Sequence, residues 1–132
     1  MKKSSFEFQT PYLKQLDYQI NEEFNEAVDS EINIDISVRN NVFRDKDKPE
    51  AVVEINVIIG DKTKKCPFFI DIVEGAKFRW EVDNDEKKIE YLLTHNAPAL
   101  LVSYLRPVVT VITSASQLPA YEIPFIDFND SE

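Results

Sequence analysis

The amino-acid sequence predicts a two-layer α+β domain, in which a four-stranded antiparallel sheet carries C-terminal helices on one face. Two observations lead to this prediction. Apolar and polar residues alternate from Phe6 to Val82, and beyond Asp83 apolar residues recur at three- and four-residue steps. Alternation on one side is typical of antiparallel strands that need a helical layer to cover one face. The length of 132 residues fits one domain, residues 1–132.

The first predicted strand runs from Phe6 to Ile20. Its even-numbered positions are apolar apart from Lys14 and Thr10, and Pro11 interrupts it. Because proline cannot donate a hydrogen bond to a neighbouring strand, this pattern indicates an edge strand or a bent one.

Three further strands follow in the same alternating pattern. Residues 31–43 and 53–59 flank a polar turn, which predicts a hairpin with a long loop. The fourth strand is predicted from about Lys65 to Val73, after which Gly75 permits a bulge or a turn before the alternation resumes.

The helical period beyond Asp83 is divided by Pro98. Asn96 is predicted to cap a helix with Pro98 in its first turn. A short helix is therefore expected to end near Thr94, and a longer one to run from Pro98 to about Ser114. Residues 118–128 are predicted to be extended.

Composition bears on partners and location. The formal net charge of −9 disfavours binding to nucleic acid or to anionic membranes and favours basic partners, although solubility alone also explains such a charge. A single cysteine and the lack of an apolar run after the first residues predict a cytoplasmic protein without a signal peptide. No apolar stretch is expected to approach the roughly 20 residues that span a bilayer.

The residues that most enzymes and metal sites need are scarce. The chain has one histidine, His95, one cysteine, Cys66, and only two glycines, Gly60 and Gly75. These numbers exclude the common zinc sets and the glycine-rich phosphate loops. We therefore expect no enzymatic activity and no cofactor or metal.

The segment from Asn21 to Glu31 combines five carboxylates with two large apolar residues, Phe24 and Val28, and contains no lysine or arginine. One interpretation is an ordinary solvated crossover loop. The other is the edge of an apolar groove within an acidic rim, which would suit an unfolded, basic and partly apolar polypeptide.

Several short motifs resemble the SecB family of protein-export chaperones. Pro98 precedes Ser103-Tyr104-Leu105-Arg106 at the distance at which the family carries a proline and then Pro-Tyr-Ala-Arg. The spacing onward matches the family's Phe-Pro and its closing Val-Asn-Phe. The corresponding residues here are Leu118-Pro119 and Ile126-Asp127-Phe128. The family's first strand resembles Leu13 to Gln19 of this chain. Its aromatic crossover resembles Phe24, and the start of its second strand resembles residues 31–36.

This resemblance implies a function and an assembly. SecB-like proteins are holdases that keep unfolded or precursor polypeptides in apolar grooves for protein export, and they assemble as homotetramers, each a dimer of dimers. Some relatives are instead dedicated partners of toxin–antitoxin systems and protect an antitoxin. Both alternatives remain open for this chain, and neither implies membrane insertion.

The resemblance also implies site residues. The polypeptide-binding set comprises Phe24, Val28, Leu100, Leu101, Tyr104 and Val108. Docking of the SecA motor would use Asp17, Phe69 and Asp71. This chain departs from the family at Gln15 and Gln19, where acidic docking residues are expected, and at Val28, where a tryptophan is expected. The family's final lid helix is expected to be absent, which would leave the groove more open.

Overall fold

Five antiparallel strands in the described residues form a sheet that one long helical segment covers on a single face. The structure is a computed structural model and describes residues 5–24, 34–63 and 65–129. The strands are β1 (Phe6–Phe8), β2 (Tyr12–Ile20), β3 (Ile36–Arg44), β4 (Glu50–Gly60) and β5 (Phe68–Trp80). The helical segment comprises α1 (Glu86–Tyr91), a π-helix (Leu92–Asn96) and α2 (Ala97–Ala115).

The sheet is four strands wide because β1 and β2 share one position. Both pair with β5: Phe6 lies opposite Trp80, and Ile20 lies opposite Phe68 at the other end. β4 pairs with β5 on its other side, and β3 pairs with β4. The predicted first strand is therefore split into two pieces around Pro11. The predicted α+β class, with an antiparallel sheet and C-terminal helices on one face, is confirmed.

The predicted bulge lies on a different strand from the one expected. β5 continues through Gly75, whereas the register of β2 shifts between Leu13 and Gln15. Lys14, one of the two exceptions in the alternating pattern, is the residue at which the shift occurs. Gly75 instead allows a close approach, since a Cβ there would lie 3.0 Å from the ring of Tyr12.

The core lies between the helices and the inward-facing residues of β4 and β5. Alternate positions on both strands are buried, as the sequence pattern indicates. Glu74 is the charged exception: it faces inward between Leu13 and Ile55 and is 5% exposed. Burial raises the pKa of the Glu74 carboxyl, because the charged form loses hydration there.

The predicted break between two helices is wrong. Helical structure continues from Glu86 to Ala115, and Asn96 makes no capping hydrogen bond through its side chain. The π-helical turn accommodates Pro98, because the N–H of Ala97 bonds to the carbonyl of Leu92, five residues back.

Since the helices are continuous, the expectation about apolar length is also wrong. Glu86–Ala115 spans 30 residues and contains a window of mean hydropathy 1.4, enough to cross a membrane by length and composition alone. In this fold, however, Leu101, Leu105 and Val109 are fully buried as part of the core. A core helix acquires the same composition because one of its faces is wholly apolar.

Asn40 supplies a hydrogen bond that Pro98 cannot. In the register of the π-helix, the N–H of residue 98 would reach the carbonyl of Leu93, but proline has no N–H. Nδ2 of Asn40, on β3, donates to that carbonyl at 3.2 Å. The strand thus satisfies a helix carbonyl that would otherwise lack a donor.

We expect Asn40→Ala to lower the free energy of unfolding by about 1–3 kcal/mol, because a carbonyl in a partly buried turn loses its donor. Urea denaturation measures the loss. The loss should be smaller in a Pro98→Ala background, where residue 98 regains an N–H. An equal loss in both backgrounds would contradict the account.

Candidate functional site

An open, largely apolar cavity of about 390 Å³ lies where the end of α2 meets the end of the sheet. It contains Phe24, which the sequence singled out. Aliphatic and aromatic side chains dominate its walls, and the polar side chains of Asn21 and Gln117 are the exceptions. The lining residues are Ile20, Asn21, Phe24, Ile34, Pro67, Phe68, Gln117, Leu118, Pro119, Ala120 and Tyr121.

Asn21 sets the direction in which the chain leaves β2 toward Phe24. Its N–H donates to the carbonyl of Pro67 at 3.0 Å, and its side-chain amide donates to the carbonyl of Cys66 at 3.1 Å. Its side-chain oxygen accepts the N–H of Glu23 at 3.1 Å, and its carbonyl accepts the N–H of Phe24 at 3.2 Å. This turn holds Phe24 at the cavity wall.

The segment after α2 forms a further wall and is held by side chains from the helix. The N–H of Tyr121 donates to Oγ1 of Thr113 at 2.9 Å, and Oγ1 of Thr110 donates to the carbonyl of Tyr121 at 3.3 Å. The guanidinium of Arg106 donates to the carbonyls of Ile123 at 3.3 Å and Pro124 at 3.2 Å. Because these donors and acceptors lie three and four residues apart, one helix face holds the extended segment.

Tyr121 joins this segment to the sheet. Its ring packs edge-on against Phe68, with ring centroids 5.7 Å apart. Burial, and to a lesser extent Cys66, raises the pKa of the Tyr121 phenol. The phenol is therefore neutral at physiological pH, and this wall carries no charge.

The neighbouring turns carry charges of both signs. Glu22 and Glu23 are exposed beside Asn21, and Lys62 and Lys65 are exposed in the turn between β4 and β5. In that turn, hydrogen bonds from Thr63 lower the pKa of Asp61. The other carboxylates of the acidic segment, Glu26, Asp29 and Glu31, lie outside the described residues, so the predicted acidic rim is described only in part.

The structure separates the predicted polypeptide-binding residues. Phe24 lines the cavity, and Val28 lies outside the described residues. None of the four helix residues lines the cavity. Leu101 is 0% exposed, so the prediction that it contacts a bound polypeptide is wrong: its side chain belongs to the core. Leu100 and Val108 are half-buried and Tyr104 is 41% exposed, so their role stays a prediction.

Sequence reasoning missed most of the cavity wall. Ile20, Phe68 and Tyr121 come from three separate parts of the chain, and their alternation or extended context indicated only that they were apolar. The Leu118-Pro119 pair carried a signal, because its spacing matched a family motif. Only the tertiary fold shows that these residues meet beside Phe24.

The three predicted docking residues come together on the hydrated face of the sheet. Asp17 lies directly opposite Asp71, and Gln19 lies opposite Phe69. Facing carboxylates repel each other, but nearby amides offset this. Nδ2 of Asn56 donates to Asp71 at 2.7 Å, and Nε2 of Gln19 donates to Asp17 at 3.1 Å. Their role in docking stays a prediction.

The described ranges hold no group of three or more histidine, cysteine, aspartate or glutamate side chains arranged to bind a metal. The described residues instead form an apolar cavity on one side of the sheet and a polar face with paired carboxylates on the other. These are the two candidate binding surfaces of a two-layer α+β domain.

Comparison with solved structures identifies this fold. The chain is similar to the Mycobacterium tuberculosis SecB-like chaperone Rv1957, solved with a ChAD peptide from the Rv1956 HigA1 antitoxin. The TM-score is 0.71 at 14% identity, covering 92% of this chain and 88% of that one. It is also similar to a Streptococcus agalactiae protein of unknown function, with a TM-score of 0.59 at 16% identity, covering 91% of this chain and 97% of that one. No curated protein matches the chain in sequence.

The fold is thus that of SecB-like chaperones. The family model described as SecB, preprotein translocase subunit SecB, matches residues 1–130. The chain belongs to the SecB family, and the resemblance seen in its motifs is confirmed.

Proposed function

We propose that this protein is a holdase that binds unfolded or precursor polypeptides without using ATP, in the cavity beside Phe24. The observation that carries the proposal is an open apolar cavity in a chain of the SecB chaperone family. Phe24, Phe68 and Tyr121 offer aromatic surface that an apolar client segment would cover. Burial of such surface is the main driving force for association.

The apolar wall is held in place before any client binds, which favours this use. Asn21 fixes one side of the cavity, and Thr110 and Thr113 fix the other through main-chain hydrogen bonds. A preformed site loses less conformational entropy on binding than a site that must be ordered first. Several such sites in an oligomer would add avidity to weak individual contacts.

We expect Phe24→Ala to weaken binding of an unfolded, apolar peptide by roughly tenfold, because an aromatic contact surface is removed. Fluorescence anisotropy of a labelled peptide measures the affinity, and suppression of aggregation of an unfolded client measures the activity. The matched control is Phe43→Ala, since Phe43 is 57% exposed on the edge strand β3 and does not line the cavity. Equal binding by both variants would reject this site. If the unaltered protein neither suppresses aggregation nor binds any unfolded chain, the holdase function fails.

A second candidate is a dedicated chaperone of one antitoxin. The observation behind this candidate is the structural similarity to Rv1957, which was solved with an antitoxin peptide. This function predicts one stoichiometric partner and poor binding of generic clients. Recovery of many unrelated unfolded proteins by the purified protein would count against it.

Delivery to the SecA motor is a finer proposal. Asp17, Phe69 and Asp71 form a contiguous patch on the hydrated sheet face, and the two carboxylates would attract a basic surface. A binding titration with purified SecA tests this proposal, and the signal should weaken as the salt concentration rises. No binding at low salt would remove SecA as a partner.

We also propose that the chain forms a homo-oligomer, a dimer of dimers. β2 lies at the edge of the sheet, and its residues Leu13 and Leu16 are 45% and 40% exposed. Large apolar side chains along a sheet edge favour contact with another subunit. The mass in solution, measured by light scattering, tests this proposal, and a monomer at micromolar concentration would exclude it.

A further inference from the structure

Gln117 adopts a backbone conformation that its side chain disfavours. Its φ of 63° lies in the left-handed region, and it is the one non-glycine residue with a positive φ in the described part of the chain. It directly follows Ser116, the residue that caps the end of α2. Glycine is the usual residue just beyond a helix end in this conformation, because any Cβ is crowded there. Gln117 thus occupies a position where glycine would be more favourable for the fold.

The side chain of Gln117 makes no hydrogen bond to the described residues. Its backbone N–H donates to the carbonyl of Ser114 at 3.4 Å, and Gln117 is an exposed residue of the cavity lining. The other side-chain amide of this wall, Asn21, already has partners in the carbonyl of Cys66 and the N–H of Glu23. Gln117 therefore presents an amide donor and acceptor beside an apolar surface.

An extended polypeptide in this cavity brings polar main-chain groups as well as apolar side chains. Each N–H and C=O that leaves water needs a partner, or binding loses affinity. Aromatic and aliphatic walls cannot supply such partners. A glutamine amide can donate to a carbonyl and accept from an N–H of the same bound chain.

We infer that Gln117 is a further binding residue of this site, whose amide hydrogen-bonds to the main chain of an extended polypeptide packed against Phe24 and Tyr121. This inference rests on the proposed polypeptide-binding function. Because every client shares the same main chain, the contribution of Gln117 does not depend on the client's side chains. The site would therefore accept clients of varied sequence while still favouring extended ones.

Two substitutions separate binding from folding. Gln117→Gly removes the amide and relieves the left-handed backbone, so the urea midpoint should rise while affinity for an unfolded peptide falls by about three- to tenfold. Gln117→Ala removes the same amide but keeps the Cβ, so affinity should fall equally without the rise in midpoint. Anisotropy is measured with two labelled, unstructured peptides, one rich in phenylalanine and leucine and the other rich in valine and isoleucine.

The inference is supported if both substitutions weaken both peptides by similar factors. It is overturned if Gln117→Gly binds as well as the unaltered protein, or if its affinity falls only together with its urea midpoint. The loss caused by Phe24→Ala, in contrast, should differ between the two peptides. If Phe24→Ala weakens binding and the Gln117 variants do not, this inference alone fails. If the unaltered protein binds neither peptide, the proposed function fails with it.

Discussion

Replacing Leu101 with alanine is expected to lower the free energy of unfolding by about 2–5 kcal/mol, because the change leaves a cavity in the core. Leu101 is 0% exposed, among core residues supplied by α2, β4 and β5. Valine and isoleucine occupy many core positions of β4 and β5, and such stiff β-branched side chains adjust poorly to a smaller neighbour. Urea denaturation at neutral pH measures the loss.

Tyr104→Ala is the matched control on the same helix. Tyr104 is 41% exposed, so its removal should cost much less stability. The pair also separates a role in the core from a role in polypeptide binding, since the sequence placed both residues in the predicted binding set. Leu101→Ala should leave peptide affinity unchanged under conditions where the variant remains folded. A loss of less than about 1 kcal/mol for Leu101→Ala would show that this position is not part of a tightly packed core.

Gly60→Ala is expected to destabilise the fold by more than about 2 kcal/mol, since two unfavourable effects coincide. Gly60 ends β4 with a φ of 75°, where an L-residue with a side chain is strained. A Cβ at this position would overlap the carbonyl oxygen of Phe68 and lie 2.9 Å from Sγ of Cys66. Phe68 also lines the cavity, so a shift of this strand end should weaken peptide binding as well.

Gly75→Ala provides the comparison. The atoms nearest its new Cβ would belong to the side chain of Tyr12, at 3.0 Å, and that residue is 45% exposed and can rotate away. We therefore expect a clearly smaller loss of stability and no change in peptide affinity. The melting temperatures and peptide affinities of the two variants test this ordering. Equal effects at the two glycines would show that the left-handed turn at Gly60 is not rigid.

The strands and helices follow from local patterns in the sequence. Alternation from Ile32 to Val38 and from Val53 to Ile59 predicts the hairpin that β3 and β4 form, because the side-chain period of a strand is two. Pro11 was predicted to interrupt or bend the first strand, and the structure goes further and divides it there into β1 and β2. The helix boundary at Pro98 was mispredicted because its missing N–H is compensated from β3, by Asn40, and no local pattern records such a partner.

Of the candidate binding residues, too, the sequence predicts some and leaves others to the tertiary structure. Phe24 was recognisable because an aromatic residue within an acidic segment is unusual, and Leu118-Pro119 because of its spacing. Leu101 was misassigned because an apolar residue in an amphipathic helix looks the same from sequence whether it faces the core or a groove. Ile20, Phe68 and Tyr121 could not be grouped, since their proximity depends on the packing of three distant segments.

The sequence by itself determined the class of fold, the family and the scarcity of residues for metal binding or catalysis, because periodicity, motif spacing and composition are local or additive properties. The tertiary structure decided which apolar residues are core and which line a cavity, because burial depends on contacts between segments far apart in the chain. It also revealed the left-handed backbone of Gln117. The helix end places Gln117 in the cavity lining, and no sequence pattern shows that position.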